Sequence, residues 1–393
     1  MKMLSKYLII SLVFYLGFFV FSKNSSYQTI KEPYYVQDSV LSIIFAGDIM
    51  QHKPQIDAAW DDSLQTYHYD SCFKFVAPIL MDNDLAMANF EFTLGGKPYE
   101  GYPQFSAPDQ IVNALLYAGF DLVSTANNHS CDRGKQGIER TIHVLDSMGL
   151  KHLGTYVDSA SRANSYPLII RKNGIKLALL NYTYGTNGIS VPAPNIVNLI
   201  SEEQIKTDLK RAKDSLPDKT IVFIHWGDEY ISNPNQYQEY YAKLCFDNGA
   251  DIIIGMHPHV IQKIERMNYP DSNGREVFIA YSLGNYISNQ RTRYRDGGMM
   301  VKIDLVKRNN KVSIADCGYY LNWVYTPREN GKTKFYILPV SQFENRTGVP
   351  DTASFQKMML YVNDSRSLMK NKSKNIKEYV YDINTRVWKQ SEK

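Results

Sequence analysis

The stretch Ile252-Ile253-Ile254-Gly255-Met256-His257-Pro258-His259 runs three β-branched residues straight into a pair of histidines two positions apart. A short apolar, β-branched run of this kind reads as a buried strand. Proline fixes its own φ and biases the residue before it towards extended backbone. In an extended segment residues i and i+2 point to the same side, so the pattern predicts two imidazoles converging on one point. Imidazole is the commonest protein ligand for transition metals, and the expectation is a metal site at a strand end. A surface loop that merely carries two histidines is the competing reading, and the rest of the chain has to decide.

Other apolar runs end in the same way. Residues 41–46 lead into Gly47-Asp48, residues 85–90 into Glu91, residues 121–125 into Ala126-Asn127-Asn128-His129, and residues 221–224 into His225. Between these runs the spacing predicts helices over 55–64, 72–80, 109–118 (with Asp109 as N-cap), 134–148 (stopped by Gly149), 201–215 and 235–248. Asn173-Gly174 joins two apolar runs and reads as a hairpin turn. Strand and helix in alternation predict an α/β fold, which places its chemistry at the C-terminal ends of its strands. Asp48, Glu91, Asn128, His129, His225, His257 and His259 all fall within a residue or two of such an end. That clustering favours the metal reading. His68, His143 and His152 lie in helical or loop contexts and are assigned no role. His52, one helical turn from Asp48, is intermediate.

The composition sets the outer bounds. With 393 residues, 44% of them hydrophobic, the chain is long enough for one large domain or two ordinary ones. A net charge of +4, from 44 basic and 40 acidic residues, gives no reason to expect nucleic-acid binding. The four cysteines, Cys72, Cys131, Cys245 and Cys317, form no CxxC pair, so a thiolate zinc knuckle is unsupported. Lys2 and Lys6 precede an apolar run over 7–21, the charge-then-apolar order of a secretory signal or signal anchor. The expected organisation is a signal anchor or signal peptide over 1–22 and a linker over 23–40. The main domain occupies 41–300, with trailing β-hairpins of the same domain over 301–345 and a C-terminal helical tail over 346–393. The positive-inside rule places the domain outside the cytoplasm, on a single-pass membrane protein, or in a secreted one if the signal is cleaved.

A set of one aspartate, one glutamate, one asparagine and several histidines, without thiolate, suits zinc, manganese or iron rather than a closed structural zinc site. So many ligands leave room for a pair of divalent ions, with Asp48 or Glu91 bridging them. His129 comes directly after the ligand asparagine and is placed to act as a general acid, with Asp132 orienting it. No P-loop, GxGxxG, HExxH or GxSxG motif is present, which removes the usual support for nucleotide-cradling, zincin or serine-hydrolase chemistry.

The blocks 45–50, 126–129 with Asp132 and Gly134, His225-Trp226-Gly227-Asp228-Glu229-Tyr230, 255–259 with Gln262, and Tyr281-Ser282-Leu283-Gly284-Asn285-Tyr286 resemble those of the CapA proteins of bacterial poly-γ-glutamate capsule synthesis. The blocks stand in family order over about 41–300. That family is similar in turn to the calcineurin-like metallophosphoesterases, which implies a two-sheet sandwich flanked by helices and a dinuclear centre. The resemblance implies Asp48 as the first-strand aspartate, Glu91 in the place of the bridging aspartate, and Asn128, His225, His257 and His259 as the remaining ligands. Two departures stand out: Asp48 and His52 are further apart than in the phosphoesterase Asp-x-His, and the bridging carboxylate is a glutamate. Arg291, Arg293 and Arg295 lie just past the last block and are candidates to hold the anionic groups of a substrate, against a solvated loop as the plainer reading.

Three functional readings stay open at this level. One is a membrane-associated, extracytoplasmic metal-dependent hydrolase acting on an anionic polymer or its precursor. The second is a non-catalytic binding or assembly component working with capsule synthesis and export partners. The third is a metallopeptidase acting on γ-glutamyl or peptidoglycan amide links.

Overall fold

The structure, a computed structural model, describes residues 38–392 apart from 271–273 and 346–347. The expected signal segment and most of the linker lie outside the described residues. Among the described residues no helix is long and apolar enough to cross a membrane.

The strand Ser39–Ile49 sets the architecture. Its side chains alternate between two faces. Leu41, Ile43 and Phe45 point into one apolar cluster together with Phe223 and Ile254. Ile44 and Ala46 point into another, with Ile111, Leu115 and Leu145. One face of this strand therefore meets a second sheet and the other meets helices. Phe45 and Phe223 touch across the gap between sheets, with ring centroids 5.8 Å apart.

The first sheet runs in the order Val387–Gln390, Lys377–Asp382, Lys311–Tyr325, Gly297–Arg308, Ser39–Ile49, Leu85–Phe90, Leu122–Ser124, Lys151–Leu153. From Ser39–Ile49 onwards the pairing is parallel. The second sheet runs Ile264–Asn268, Glu276–Ala280, Ile252–Met256, Lys219–His225, Ile175–Thr183, Leu168–Lys172. Its central strands are also parallel. Every residue of Lys219–His225 and Ile252–Met256 is buried, because each has the other sheet on one side and helices on the other. Gln110–Ala118 and Gly134–Met148 cover the outer face of the first sheet, while Glu202–Asp214 and Gln236–Asp247 cover that of the second. The expected α/β sandwich flanked by helices is the fold.

Local signals held where short-range chemistry decides. Asn173 and Gly174 both adopt positive φ (50° and 71°) and turn Leu168–Lys172 into Ile175–Thr183, as a two-residue hairpin loop requires. Ser201 caps its helix by accepting from Gln204 N–H at 3.2 Å. Elsewhere tertiary contacts intervened. The helix expected over 55–64 stops at Ala59, because Asp61 accepts the backbone N–H groups of Ser63 and Leu64 and forms a turn. The helix expected over 72–80 is two short pieces, Asp70–Phe73 and Ala77–Met81, with Pro78 in the first turn of the second, where its missing N–H does no harm. Asp109 makes no cap. Its carboxylate is held by both Nη groups of Arg140 at 2.7 Å. The C-terminal region is helical over Thr352–Lys372, but it then returns as a hairpin, Lys377–Asp382 with Val387–Gln390, on the edge of the first sheet. All four cysteines are free.

Candidate metal centre

The C-terminal ends of parallel strands from both sheets converge on one buried cluster. Asp48 closes Ser39–Ile49, and its register partners are Asn89 on one side and Asn285 on the other. Glycine allows this closeness: a Cβ on Gly47 would lie 2.0 Å from the Gly284 carbonyl oxygen. Asp48 N–H donates to that same oxygen at 2.9 Å. On the facing sheet a Cβ on Gly255 would lie 2.0 Å from the Tyr281 carbonyl oxygen. Asp48 and Glu91 are both fully buried.

Two groups of ligand atoms form, Asp48–Glu91–His225 and Glu91–His257–His259, with the atoms of each group within 4.8 Å of one another. Glu91 belongs to both. Its Oε1 lies 3.6 Å from Nε2 of His225 and 3.6 Å from Nε2 of His259, and it accepts no hydrogen bond. His257 Nδ1 is likewise buried without a partner. His259 Nδ1 lies 3.1 Å from Asn285 Oδ1 and 3.3 Å from Asp48 Oδ2. Both of these are acceptors, which puts the proton on Nδ1 and leaves the Nε2 lone pair facing Glu91. His225 Nε2–H donates to Asn128 Oδ1 at 2.9 Å, which brings the asparagine and the histidine side by side.

The electrostatics agree with the geometry. Burial, then the neighbouring imidazoles, pushes His225 and His257 well below the usual histidine range, so both stay neutral with a lone pair to offer. Burial, with Asp48 beside it, pushes Glu91 well above the usual carboxylate range. Two carboxylates and three imidazoles packed without a compensating cation leave buried acceptors unsatisfied. A divalent ion relieves all of these costs at once, and the donor set of oxygen and imidazole fits one.

The backbone route to this cluster differs from the expectation. His257 and His259 are not extended: their φ values are +101° and +56°, in the left-handed range that non-glycine residues seldom enter. Tyr230 N–H holds the turn by donating to the Pro258 carbonyl at 2.7 Å, and His257 N–H reaches Asp48 Oδ2 at 3.4 Å. The two rings converge, with centroids 6.0 Å apart, through a tight turn rather than through strand alternation. Such strain at a site is sustained by the contacts around it.

His129 stands beside the ligands. Its Nδ1 is 2.7 Å from Asp132 Oδ2, and the same oxygen accepts the Phe105 backbone N–H at 2.8 Å. The ring of Phe105 meets the His129 imidazole edge-on at 4.6 Å between centroids. His129 N–H donates to Asn127 Oδ1 at 3.0 Å, which fixes the backbone. His52 joins neither ligand group. It packs edge-on against Phe105, and burial lowers its pKa to about 4.

Asn89 was not singled out by the sequence, yet its Nδ2 reaches Asp48 Oδ1 at 2.8 Å, Glu91 Oε2 at 3.2 Å and His225 Nδ1 at 3.3 Å. Its position two residues before Glu91 on one strand was the available signal. Asn285, in the 281–286 segment, is in register with Asp48 and faces His259. Tyr184, one residue past Ile175–Thr183, packs tilted against His257 with ring centroids 4.6 Å apart. The three arginines separate. Arg291 is turned inward, donating to the Val324 carbonyl and lying 5.3 Å from the Trp323 ring. Arg293 is held by Asp364 at 2.7 and 2.8 Å. Arg295 alone reaches the cluster's rim, 3.6 Å above the ring of Tyr230.

The family model for the bacterial capsule synthesis protein PGA_cap matches residues 42–290. The chain belongs to this family. Among curated relatives, the capsule biosynthesis protein CapA of Bacillus anthracis is 29% identical over 295 residues, covering 71% of this chain and 67% of that protein. The PGA biosynthesis protein CapA of Bacillus subtilis (strain 168) is 31% identical over 281 residues, 67% of each chain. Among solved structures, the calcineurin-like phosphoesterase YfkN from Bacillus subtilis overlaps 72% of this chain and 91% of its own at a TM-score of 0.40 and 15% identity. The sandwich described above rests on its own sheet order and packing. As a member of the capsule synthesis family, the chain carries its candidate ligands both within the matched region and at the ends of its own strands.

Proposed function

We propose that this member of the capsule synthesis family is a metal-dependent hydrolase acting outside the cytoplasm on an anionic polymer or its precursor. The observation that carries the reading is Glu91, a fully buried carboxylate common to two ligand groups with one oxygen left without a partner. Asp48, Glu91 and His225, with Asn128, are the residues to hold one divalent ion, and Glu91, His257 and His259 those to hold another. When bound, such a pair lowers the pKa of a water and neutralises charge on the oxygens of the bond being cleaved. Asn89 and Asn285 keep the carboxylates and His259 in register. Asp132 retains the Nδ1 proton of His129, so the Nε2 proton is the one handed to the leaving group. Phe105, packed on the ring, excludes water from that imidazole. Membrane association through the Lys2, Lys6 and 7–21 segment completes the proposal, supported by its charge-then-apolar order.

The test begins with metal analysis of the purified protein, expected to find manganese, zinc or iron. Activity is then compared on a phosphodiester, a peptidoglycan peptide and poly-γ-glutamate. His129→Ala is expected to keep its metal and lose about 10²–10⁴ in turnover. A protein that takes up no metal, or a His129→Ala variant with undiminished turnover, sinks the hydrolase reading.

A further inference from the structure

Arg295 differs from Arg291, which is turned inward onto the Val324 carbonyl, and from Arg293, which is held by Asp364, in lying on an aromatic ring beside the cluster. Among the described residues no carboxylate pairs with it, whereas Arg293 is spent on Asp364. Its guanidinium is half-buried and lies 3.6 Å above the ring of Tyr230. That ring in turn stacks on the imidazole of His259, with centroids 6.1 Å apart and planes at 30°. The stack is fixed from below at two points. Tyr230 N–H donates to the carbonyl of Pro258, the residue between the two ligand histidines. Asn285 Nδ2 donates to the Arg295 carbonyl at 2.8 Å, while its Oδ1 faces His259 Nδ1 at 3.1 Å. One asparagine thus ties the arginine's backbone to a ligand imidazole. Tyr230 remains 38% exposed, so the guanidinium platform opens to arriving molecules.

We propose that Arg295, laid on Tyr230, is the subsite that grips an oxyanion of the substrate, a carboxylate or a phosphoryl group, beside the ligand cluster. This subsite gives the hydrolase reading a substrate class, and it rests on that reading for the bond cleavage after binding. A planar guanidinium presents paired N–H donors that match either oxyanion in two parallel hydrogen bonds. Stacking on an aromatic face holds the fork in one orientation before the ligand arrives, which lowers the ordering cost of binding. A half-buried cation without a counter-charge gains most from an incoming anion. Glu229, the residue before Tyr230, makes a side-chain hydrogen bond with Tyr230 and acts electrostatically on Tyr184 and Glu91. It forms no ion pair with Arg295 among the described residues, so the fork stays open.

The experiment is calorimetric titration of the full-length protein with inorganic phosphate and, separately, with glutarate, each in a manganese-loaded and an EDTA-treated arm. Arg295→Gln is expected to weaken binding of the preferred probe at least 10-fold, with metal content and melting temperature unchanged. Arg295→Lys is expected to recover part of that loss, because a point charge keeps attraction without the fork. Tyr230→Leu, which leaves the cation but removes its platform, is expected to weaken binding 3- to 10-fold, and it carries the test if Arg295→Gln does not fold. The stronger probe tells a phosphoryl from a carboxylate ligand. Binding by Arg295→Gln within twofold of wild type for both probes, or no binding of either probe by wild type, overturns the proposal. If wild type takes up no metal, the hydrolase reading falls by itself and the EDTA arm still decides Arg295.

Discussion

Asp48 and Asn89 share one register position on adjacent parallel strands, and the Asn89 side chain donates to Asp48 Oδ1 at 2.8 Å. The same amide group reaches Glu91 and His225, so one neutral side chain orients three candidate ligands contributed by three strand ends. Strand order therefore does more than gather the residues. It sets the angles at which they point inward.

Removing that amide tests the arrangement without touching a ligand. Asn89→Ala is expected to weaken metal binding by about 10–100-fold, the range for losing a residue that orients ligands. Competition against a chelator of known affinity measures it. An unchanged affinity would show that the ligands hold their own positions.

Metal should stabilise the fold as well as the site. At a free metal concentration 100 times Kd, linkage adds about 2.7 kcal/mol to the stability of the chelator-treated protein. Glu91→Gln is expected to raise the melting temperature of the metal-free protein, because it removes a buried charge, and to shrink the increment that metal gives. Differential scanning calorimetry with and without manganese reads both effects. The same increment in wild type and Glu91→Gln would place the metal elsewhere.

Acid should unfold the metal-free protein through its buried imidazoles. His52, His225 and His257 have folded pKa values below the ordinary 6.5, His52 at about 4. Their unfolded forms bind more protons across that window, so the stability they contribute is present above pH 6.5 and is lost as pH falls towards 4 and below. Glu91, raised above 4.5, has the opposite sign: its contribution is full below pH 4.5 and declines as pH rises through the folded pKa. Urea denaturation in the presence of EDTA at pH 4.5, 5.5, 7 and 8.5 should give a maximum between these limits. His52→Gln should flatten the acid limb, and a stability independent of pH between 4.5 and 6.5 contradicts the assignment.

On the proposed hydrolase reading, His129 depends on its partner Asp132. Asp132→Asn removes the carboxylate acceptor that faces His129 Nδ1 and allows the wrong tautomer. Turnover should fall about 10²-fold or more while metal content stays whole. Metal content that falls together with turnover would mark the aspartate as merely structural. Steady-state rates across pH 5–9 give the answer.

Much of the candidate cluster was legible in the chain. Asp48, Glu91, Asn128, His225, His257 and His259 could be picked out because buried parallel strands are short apolar runs, and their ends are marked by the first polar residue. That is a local property, encoded in periodicity and side-chain chemistry. The His129–Asp132 pair was equally local, three residues apart in one turn.

What lay beyond reach depended on residues far apart in sequence. The positive φ values of His257 and His259 are sustained by Tyr230 and Asp48, and strand logic by itself predicted the wrong backbone there. Asn89 and Asn285 became site residues only through register with Asp48. Arg291, Arg293 and Arg295, equivalent by sequence, were parted by Val324, Asp364 and Tyr230. The C-terminal hairpin found its place by pairing with Lys311–Tyr325. Thus the sequence determined which side chains reach the strand ends, since burial and alternation act over a few residues. The tertiary structure decided how those side chains are aimed and which arginine lies on Tyr230 beside the cluster, since register and left-handed turns are held by contacts that no local window contains.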